Sequence, residues 1–353
     1  MAIDSNAINA LTREKFIPLL VDNIFTSNIM ANKFLANADI LDGGRKIITP
    51  LEVAKATNYN GFYSDYDTLT PATNTPIHKA EWDWVQAYAG LYISSREIAL
   101  NSGDSQVLSV LKAKLRNAEK SLKDLFGDAL WNTGDVSGGS PDYKNHTALA
   151  YVDNSSTAGD GDGHICTSSV GHATGGITST SGGAADYWMC QSGAWTNASG
   201  NLTIADLYAD ADDTGTAQII RDMTDMYGKC TVDADQPDLI VTTQTLADVY
   251  ESALMAKKRF VNVDSAVGGF TGLQFKNAVV VVDSHVPAGH MYFLNSNYLD
   301  YKVHGSRNFM FEGFKTRETV DGQIARIFWM GQFVCTNPRM IGVLQGSFSA
   351  AES

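Results

Sequence analysis

The longest periodic pattern of apolar positions runs from Asp104 to Asn132 and predicts a long amphipathic helix. The stretch contains no proline, and its first glycine is Gly127. The apolar positions alternate in steps of three and four, which aligns them on one helical face; they are Leu108, Leu111, Leu115, Ala118, Leu122, Leu125 and Ala129. At about 1.5 Å per residue the helix would be roughly 43 Å long. The repeat covers only about three heptads, the lower limit for a coiled coil, so we expect this spine helix to pack against a sheet.

Two stretches with strand-like alternation, residues 46–57 and 80–98, predict an extended β-hairpin around a turn-rich, aromatic segment. Pro50 favours an edge position for the first strand. On the second strand the alternation places Trp82, Trp84, Tyr88 and Tyr92 on one side. An isolated hairpin is marginal in water, and exposed apolar surface normally marks a contact with another protein. The candidate assembly-interface residues are therefore Tyr59, Phe62, Tyr63, Tyr66, Trp82 and Trp84. The alternative is a hairpin that folds onto its own domain.

The other segments differ in composition. Residues 1–42 predict an arm with short amphipathic helices at 12–25 and 29–36, which need a surface to pack on because neither is long enough to be stable alone. Residues 134–201 are rich in Gly, Ser, Thr and Asn and predict a surface insertion, folded down locally at Trp188 and Trp195. Residues 202–300 combine helices near 204–229 and 243–257 with short strands. The remainder is strand-dominated, with a central strand expected at 325–334, and the whole order gives an α+β class.

Composition narrows the function classes. With 353 residues, 44% of them hydrophobic, the chain can form two or three packed domains. The net charge of -13 argues against a dedicated nucleic-acid binder, since affinity for phosphate comes from Lys and Arg, although an acidic protein can enclose nucleic acid. No stretch has the roughly 20 apolar residues of a membrane helix, and no signal sequence begins the chain. We therefore expect residence in a cytosol, no membrane partner, and four cysteines that act as small buried hydrophobes.

Motifs for catalysis are absent from the sequence: there is no P-loop, dinucleotide-binding glycine motif, HExxH or GxSxG. The run Asp160–His164 lacks the turn glycine and the bidentate glutamate of an EF-hand. Cys166, His172 and Cys190 match no zinc-site spacing, and the aspartates within 203–238 are expected to form a solvated face. We therefore expect a protein that is not an enzyme and has no catalytic residues, metal site or cofactor.

Several short motifs follow one another in a recognisable order. They are a strand and "Thr…Leu" helix in Asp238–Tyr250, a glycine-rich block in Gly268–Phe275 followed by Ala278–Asp283 and Val286-Pro287, Tyr292–Asn295 with Tyr298–Tyr301, and Arg326–Leu344 with Asn337-Pro338-Arg339. Within the insertion, Gly175-Gly176-Ile177 and Tyr187-Trp188 form a further signature. Together with the arm, hairpin and spine helix, this order resembles the tailed-bacteriophage major capsid proteins of the Hong Kong 97-like fold.

The resemblance implies an α+β capsid fold in five parts. These are an N-terminal arm at 1–42, an extended hairpin loop at 43–98, a peripheral domain formed by 99–133 and 301–353, the Gly/Ser-rich insertion at 134–201, and an axial domain at 202–300. It also implies assembly into pentamers and hexamers of an icosahedral head that encloses double-stranded DNA without binding it specifically. A portal and, in some members, a decoration protein are the implied partners. Since the arm begins at residue 1, we expect a separate scaffolding protein, with assembly in the host cytoplasm and a final location in the virion.

Two alternatives stay open at this point. An encapsulin-type nanocompartment shares the fold and encloses enzymes instead of a genome. A secreted glycan-binding or adhesin module is suggested by the Gly/Ser/Thr-rich middle and its tryptophans, but the lack of a signal sequence weighs against it.

Overall fold

The structure, a computed structural model, describes the chain between residues 29 and 346 with gaps. The described residues are 29–52, 62, 64–66, 77–96, 114, 117–118, 121–122, 124–131, 146–151, 163–166, 173–178, 188–196, 203–208, 217–255, 273–317 and 320–346. The first predicted arm helix, the first part of the predicted spine helix, and Tyr59 and Tyr63 lie outside them.

Strands dominate the described elements. The strands are β1 (Asp39–Leu41), β2 (Ile47–Glu52), β3 (Ile77–Trp82), β4 (Val85–Ser94), β5 (Ala173–Thr174), β6 (Ile177–Thr178), β7 (Gln191–Ala194), β8 (Leu239–Thr242), β9 (Leu273–Phe275), β10 (Ala278–Val282), β11 (Met291–Leu294), β12 (Leu299–His304), β13 (Met310–Arg317), β14 (Val320–Cys335) and β15 (Gly342–Gln345). The helices are α1 (Ile29–Ala36), α2 (Ile204–Tyr208), α3 (Gln218–Lys229) and α4 (Gln244–Met255), with short 3-10 helices at Ser296–Tyr298, Gly305–Arg307 and Pro338–Met340. The spine helix lies between β4 and β5 in the chain.

A five-stranded sheet is built around β14. This strand pairs antiparallel with β4, β12 and β13, and β1 joins β12 in parallel. Ala325, Ile327 and Trp329 are buried on one face of β14, whereas the residues between them are only half-buried. The central strand expected at 325–334 is confirmed.

The spine helix packs on this sheet as predicted. Every described residue between 114 and 130 is helical, and the ring of Phe126 meets that of Trp329 edge-on, with centroids 4.8 Å apart. The predicted stripe is partly wrong, because Phe126 and Leu130 are buried whereas Leu125 is only half-buried. Residues one position apart lie only about 100° apart on a helix, so a broad buried face takes in both.

The predicted helix at 29–36 is α1, and it covers the same face of the sheet. Phe34 packs edge-on against Phe333, at 5.5 Å between centroids, and Phe333 lies four residues beyond Trp329 on β14. Lys33 pairs with Asp238 at 3.0 Å, and this ion pair ties α1 to the start of β8.

A six-stranded sheet with the order β7-β15-β11-β8-β10-β9 forms the second part of the body. Its central strands β8 and β11 are buried throughout. Helices α3 and α4 cover one face, where Met226 and Tyr250 share a core with Ile240 and Phe293. Residues of the other face, such as Val241 and Tyr292, belong to the core of the five-stranded sheet and spine helix.

The predicted hairpin is present, but its second strand differs from the prediction. β2 and β3 pair antiparallel with Ile47 opposite Trp82 and Glu52 opposite Ile77. The chain then breaks at residues 83–84, and β4 leaves the hairpin to join β14. Because of this break, inward- and outward-facing residues do not continue to alternate from β3 into β4. The prediction that the aromatic residues of 80–98 share one side is therefore wrong: Trp82 is buried, whereas Tyr88 is exposed.

The predicted surface insertion is also wrong for the part of it that the structure describes. Leu149, Ile165 and Cys190 lie in the main core, and β7 pairs in parallel with β15 in the six-stranded sheet. The two tryptophan anchors are confirmed: Trp188 and Trp195 are both buried. Short apolar groups between the Gly- and Ser-rich stretches therefore fill the core despite their polar surroundings in the sequence.

Candidate assembly interface

The hairpin residues predicted to meet another subunit fall into three groups. Tyr59 and Tyr63 lie outside the described residues. Phe62 and Tyr66 are fully exposed, with relative exposures of 111% and 99%. Such complete exposure of two neighbouring large apolar side chains is what the prediction requires.

Trp82 and Trp84 are both contacted by their own subunit, to different extents. Trp82 is only 4% exposed and packs in a cluster at the hairpin base that also contains Ile47, Leu51, Ala80, Trp188 and Val334. Trp84 is half-buried; its Nε1 donates to the carbonyl of Gly44 at 2.9 Å, and its ring lies 5.5 Å from that of His304. A second subunit therefore has little of Trp82 to contact.

The outer face of the hairpin base is a surface that the sequence analysis missed. Ile48 and Ile77 are 57% and 69% exposed on it. Glu81 lies opposite Ile48 and forms ion pairs with Lys79 and Lys46, which lower the pKa of its carboxyl group, mainly through the hydrogen bond from Lys79. The alternation of β2 already signalled Ile48, because Ile47, Thr49 and Leu51 face inward and the residues between them face outward.

A groove of about 800 Å³ lies between β4 and the spine helix. Ala118, Leu122 and Leu125 line its helical side, while Tyr88 and Tyr92 stand exposed on β4. Among the described residues β4 pairs only with β14, and residues 88–92 of β4 line the groove opposite the helix. Lys114 donates to the carbonyl of Tyr92 at 2.8 Å from that side.

The candidate metal and thiol residues are integrated into the core where the structure describes them. His164 is buried, with its Nδ1 3.2 Å from the carbonyl of Ala150. All four cysteines are buried and free, and burial raises the pKa of Cys166 and takes that of Cys230 to about 12. In the described parts of the chain, no group of three or more His, Cys, Asp or Glu is arranged to hold a metal ion. No helix among the same residues is long and apolar enough to cross a membrane.

Solved structures with the same fold include capsids. The capsid asymmetric unit of cyanophage A-1(L) matches with a TM-score of 0.58 at 17% identity, covering 91% of this chain and 93% of that one. The capsid of an empty GTA particle matches with a TM-score of 0.53 at 12% identity, covering 89% and 96%. This chain has a phage capsid fold. The α+β class and the capsid resemblance are thereby confirmed at the level of the fold.

An encapsulin complex from Synechococcus elongatus matches with a TM-score of 0.49 at 9% identity, over 89% of this chain and 86% of that one. No family model matches the sequence, and no curated protein matches it. The matches to capsid structures therefore follow the path of the backbone at a sequence identity of 17% or 12%.

Proposed function

We propose that this chain is the major capsid protein of a tailed phage. Many copies would assemble into the pentamers and hexamers of an icosahedral head that encloses double-stranded DNA. The observation that supports this most is the capsid fold, matched along about nine-tenths of the chain. In this proposal the role is structural, and the protein is not an enzyme.

The surface of the subunit fits such a role. Phe62 and Tyr66 are exposed in the segment of the chain between β2 and β3, and Ile48 and Ile77 are exposed on those strands. Burying a side chain of this size is favourable by roughly 1.5–3 kcal/mol, so a neighbouring subunit that covers the hairpin gains several such contributions. The exposed tyrosines along the groove beside β4 offer a second apolar contact area on the same subunit.

The charge of the chain fits enclosure of DNA without specific binding. With a net charge of -13, the subunit is repelled by phosphate overall. The DNA would therefore be held by confinement rather than by adhesion to the shell. The virion is the proposed location, and assembly in the host cytoplasm, a separate scaffolding protein, a portal and a decoration protein belong to the same proposal.

The five-part division of the chain is kept as a proposal with one change. The arm, the hairpin loop, the peripheral domain and the axial domain keep their boundaries. Residues 146–151, 163–166 and 188–196, expected within the insertion, are assigned to the body because they are buried in its cores or paired in its six-stranded sheet.

Replacing the hairpin aromatics tests the proposal. The double variant Phe62→Ser, Tyr66→Ser removes apolar groups that touch nothing in the free subunit, so its unfolding in urea should match that of the wild type. The double variant should no longer assemble into rings or shells, as measured by electron microscopy and sedimentation. The matched control is Val232→Ser, which changes an apolar side chain that is 43% exposed outside the hairpin and should assemble normally.

Two outcomes would contradict the proposal. Shells of normal yield from the double variant would refute the role of the hairpin. A wild-type protein that stays monomeric with and without a co-expressed scaffolding protein would refute the shell function itself. Nucleic acid inside purified particles would separate the phage head from the encapsulin alternative.

A further inference from the structure

We propose that residues 173–178 and Trp188, here called the clasp, fix the direction of the hairpin and join its base to the C-terminal end of the spine helix. The effect on assembly rests on the proposed shell function, whereas the effect on the hairpin base does not. Gly175 is the main positioning residue in this proposal.

The clasp is bonded to the free edge of β3. The amide of Glu81 donates to the carbonyl of Gly175 at 2.7 Å, on the side of β3 that is not paired with β2. The indole of Trp82 lies directly against Gly175, so that a Cβ at this position would be 2.8 Å from Trp82 Cζ2. A Cβ at that distance would be far closer than non-bonded carbon atoms normally approach. Only glycine therefore leaves space for the indole.

The turn that presents Gly175 requires an unusual backbone. Gly175 and Gly176 have φ values of +61° and +72°, the left-handed region in which glycine is favoured. Two such residues between β5 and β6 form the tight turn typical of a two-residue hairpin. The second glycine has no comparable contact, since a Cβ there would find its nearest neighbour at 3.9 Å.

Behind the turn, one buried hydrogen bond holds the two parts of the clasp together, and a second joins the clasp to the 163–166 segment of the body. Trp188 Nε1 donates to the carbonyl of Thr174 at 2.8 Å, and Thr174 Oγ1 donates to the carbonyl of His164 at 2.6 Å. Both of these bonds lie in the interior, where losing one partner costs about 1–3 kcal/mol. Thr174 therefore connects the turn that contacts β3 with the 163–166 segment of the body.

The same path of hydrogen bonds continues to the spine helix. The segment around His164 pairs with Ala148, whose amide donates to Gly163 and whose carbonyl accepts from Ile165, at 3.0 and 2.9 Å. The next amide, that of Leu149, donates to the carbonyl of Leu130 at 2.7 Å. Leu130 ends the described part of the spine helix, and its carbonyl belongs to the last turn, where helical partners run out.

This continuous path explains how a two-stranded hairpin can keep one direction. Among the described residues, β2 and β3 pair only with each other, and an isolated pair of strands is marginal. The clasp and the apolar cluster around Trp82 supply the missing support on the inner face and on the edge of β3. The angle between neighbouring subunits that contact each other through the hairpin then depends on the direction of the spine helix.

The test compares Gly175→Asn with Gly176→Asn. Asparagine tolerates the left-handed region better than most residues, so the two variants carry a similar backbone cost, and only the first pushes a Cβ into Trp82. Hydrogen exchange of the unassembled protein should show faster exchange of the Glu81 amide by about tenfold in Gly175→Asn, the effect of losing one hydrogen bond. Gly176→Asn should exchange like the wild type.

A second pair of variants distinguishes loss of the clasp from a general folding defect. Trp188→Phe keeps an aromatic ring but removes the donor to Thr174, and it should also accelerate exchange at Glu81. Trp195→Phe removes a similar buried donor, which bonds Gly289 at 2.9 Å, and it should leave Glu81 unchanged. Unchanged exchange at Glu81 in both Gly175→Asn and Trp188→Phe would overturn the clasp, whether or not the protein assembles.

The assembly step has its own readout. Shells from Gly175→Asn should be fewer and irregular in size by electron microscopy, while those from Gly176→Asn should match the wild type. Faster exchange at Glu81 combined with normal shells would overturn the link between clasp and assembly. If the wild type itself forms no shells, the proposed function fails, and the exchange measurement still decides the clasp.

Discussion

His146 should make the folded subunit sensitive to mild acid. Its imidazole is buried beside Tyr301, with Nε2 3.4 Å from the tyrosine hydroxyl. Burial lowers the pKa of His146 to about 4, against an ordinary value of about 6.5 in an unfolded chain. Below about pH 6.5 the unfolded state therefore binds a proton that the folded state excludes, so the free energy of unfolding falls as the pH falls and levels off near the folded pKa.

The size of this effect follows from the pKa difference. The full loss is about 3 kcal/mol at about 1.4 kcal/mol per unit of pKa, and roughly 2 kcal/mol of it should appear between pH 7.5 and pH 5. The variant His146→Gln cannot take up the proton and should lose about 2 kcal/mol less over this interval. Urea unfolding of unassembled protein at several pH values measures the difference, because the carboxyl groups and the other histidines contribute equally to both proteins.

The matched control is His78→Gln, which removes an exposed imidazole from β3 and should keep the pH dependence of the wild type. His290 is a second partly buried histidine whose pKa is lowered by burial, and it remains in all three proteins. If wild type and His146→Gln lose stability in parallel down to pH 5, the imidazole is not excluded from protonation, and the argument from its burial is refuted.

Two further predictions concern the core. Phe126→Ala should lower the free energy of unfolding by about 3–5 kcal/mol, because it leaves a cavity under Trp329, whereas Asp124→Ala on the exposed side of the same helix should change it little in urea titrations. The four cysteines should resist a thiol reagent in the folded subunit and all react in urea, since each is buried and burial raises the pKa of the Cys166, Cys230 and Cys335 thiols; rapid reaction of the folded protein would contradict their placement.

Periodicity in the sequence predicted the regular elements well. The spine helix, α1, the hairpin and the central strand all follow from steps of three and four or from alternation, which depend on local geometry alone. The order of these elements also led to the capsid fold, although no short motif is specific by itself. These successes share a physical cause, since an element that buries one face must repeat its apolar residues at its own period.

The sequence predictions are wrong where a tertiary contact, rather than the local pattern, determines whether a residue is buried. Trp82 and Tyr88 lie six residues apart and would share a face of one strand, but the break at residues 83–84 ends that relation. The segment 146–151 contains two alanines and a histidine within a Gly- and Ser-rich region, and only its position between the spine helix and the 163–166 segment makes it core. The sequence placed Gly175 in a Gly-Gly-Ile signature, but it could not show that the indole against this glycine belongs to Trp82, 93 residues away in the chain.

The strand β14, rather than the spine helix, joins the parts of the subunit. One face of its C-terminal half carries Trp329 and Phe333, which pack on the spine helix and α1. On the opposite face Val334 enters the hairpin-base cluster with Trp82.

Gln332, on the same side of β14 as Val334, strengthens this connection at the corner where the hairpin ends. Its side-chain oxygen accepts from the amide of Thr147 at 3.0 Å, and its nitrogen donates to the carbonyl of Asp83 at 3.2 Å. Because both faces of this stretch are covered, its residues must be apolar or fully hydrogen-bonded on both sides. That requirement explains why residues 331–335, all of them buried, are apolar or glycine except for Gln332, whose side chain is hydrogen-bonded.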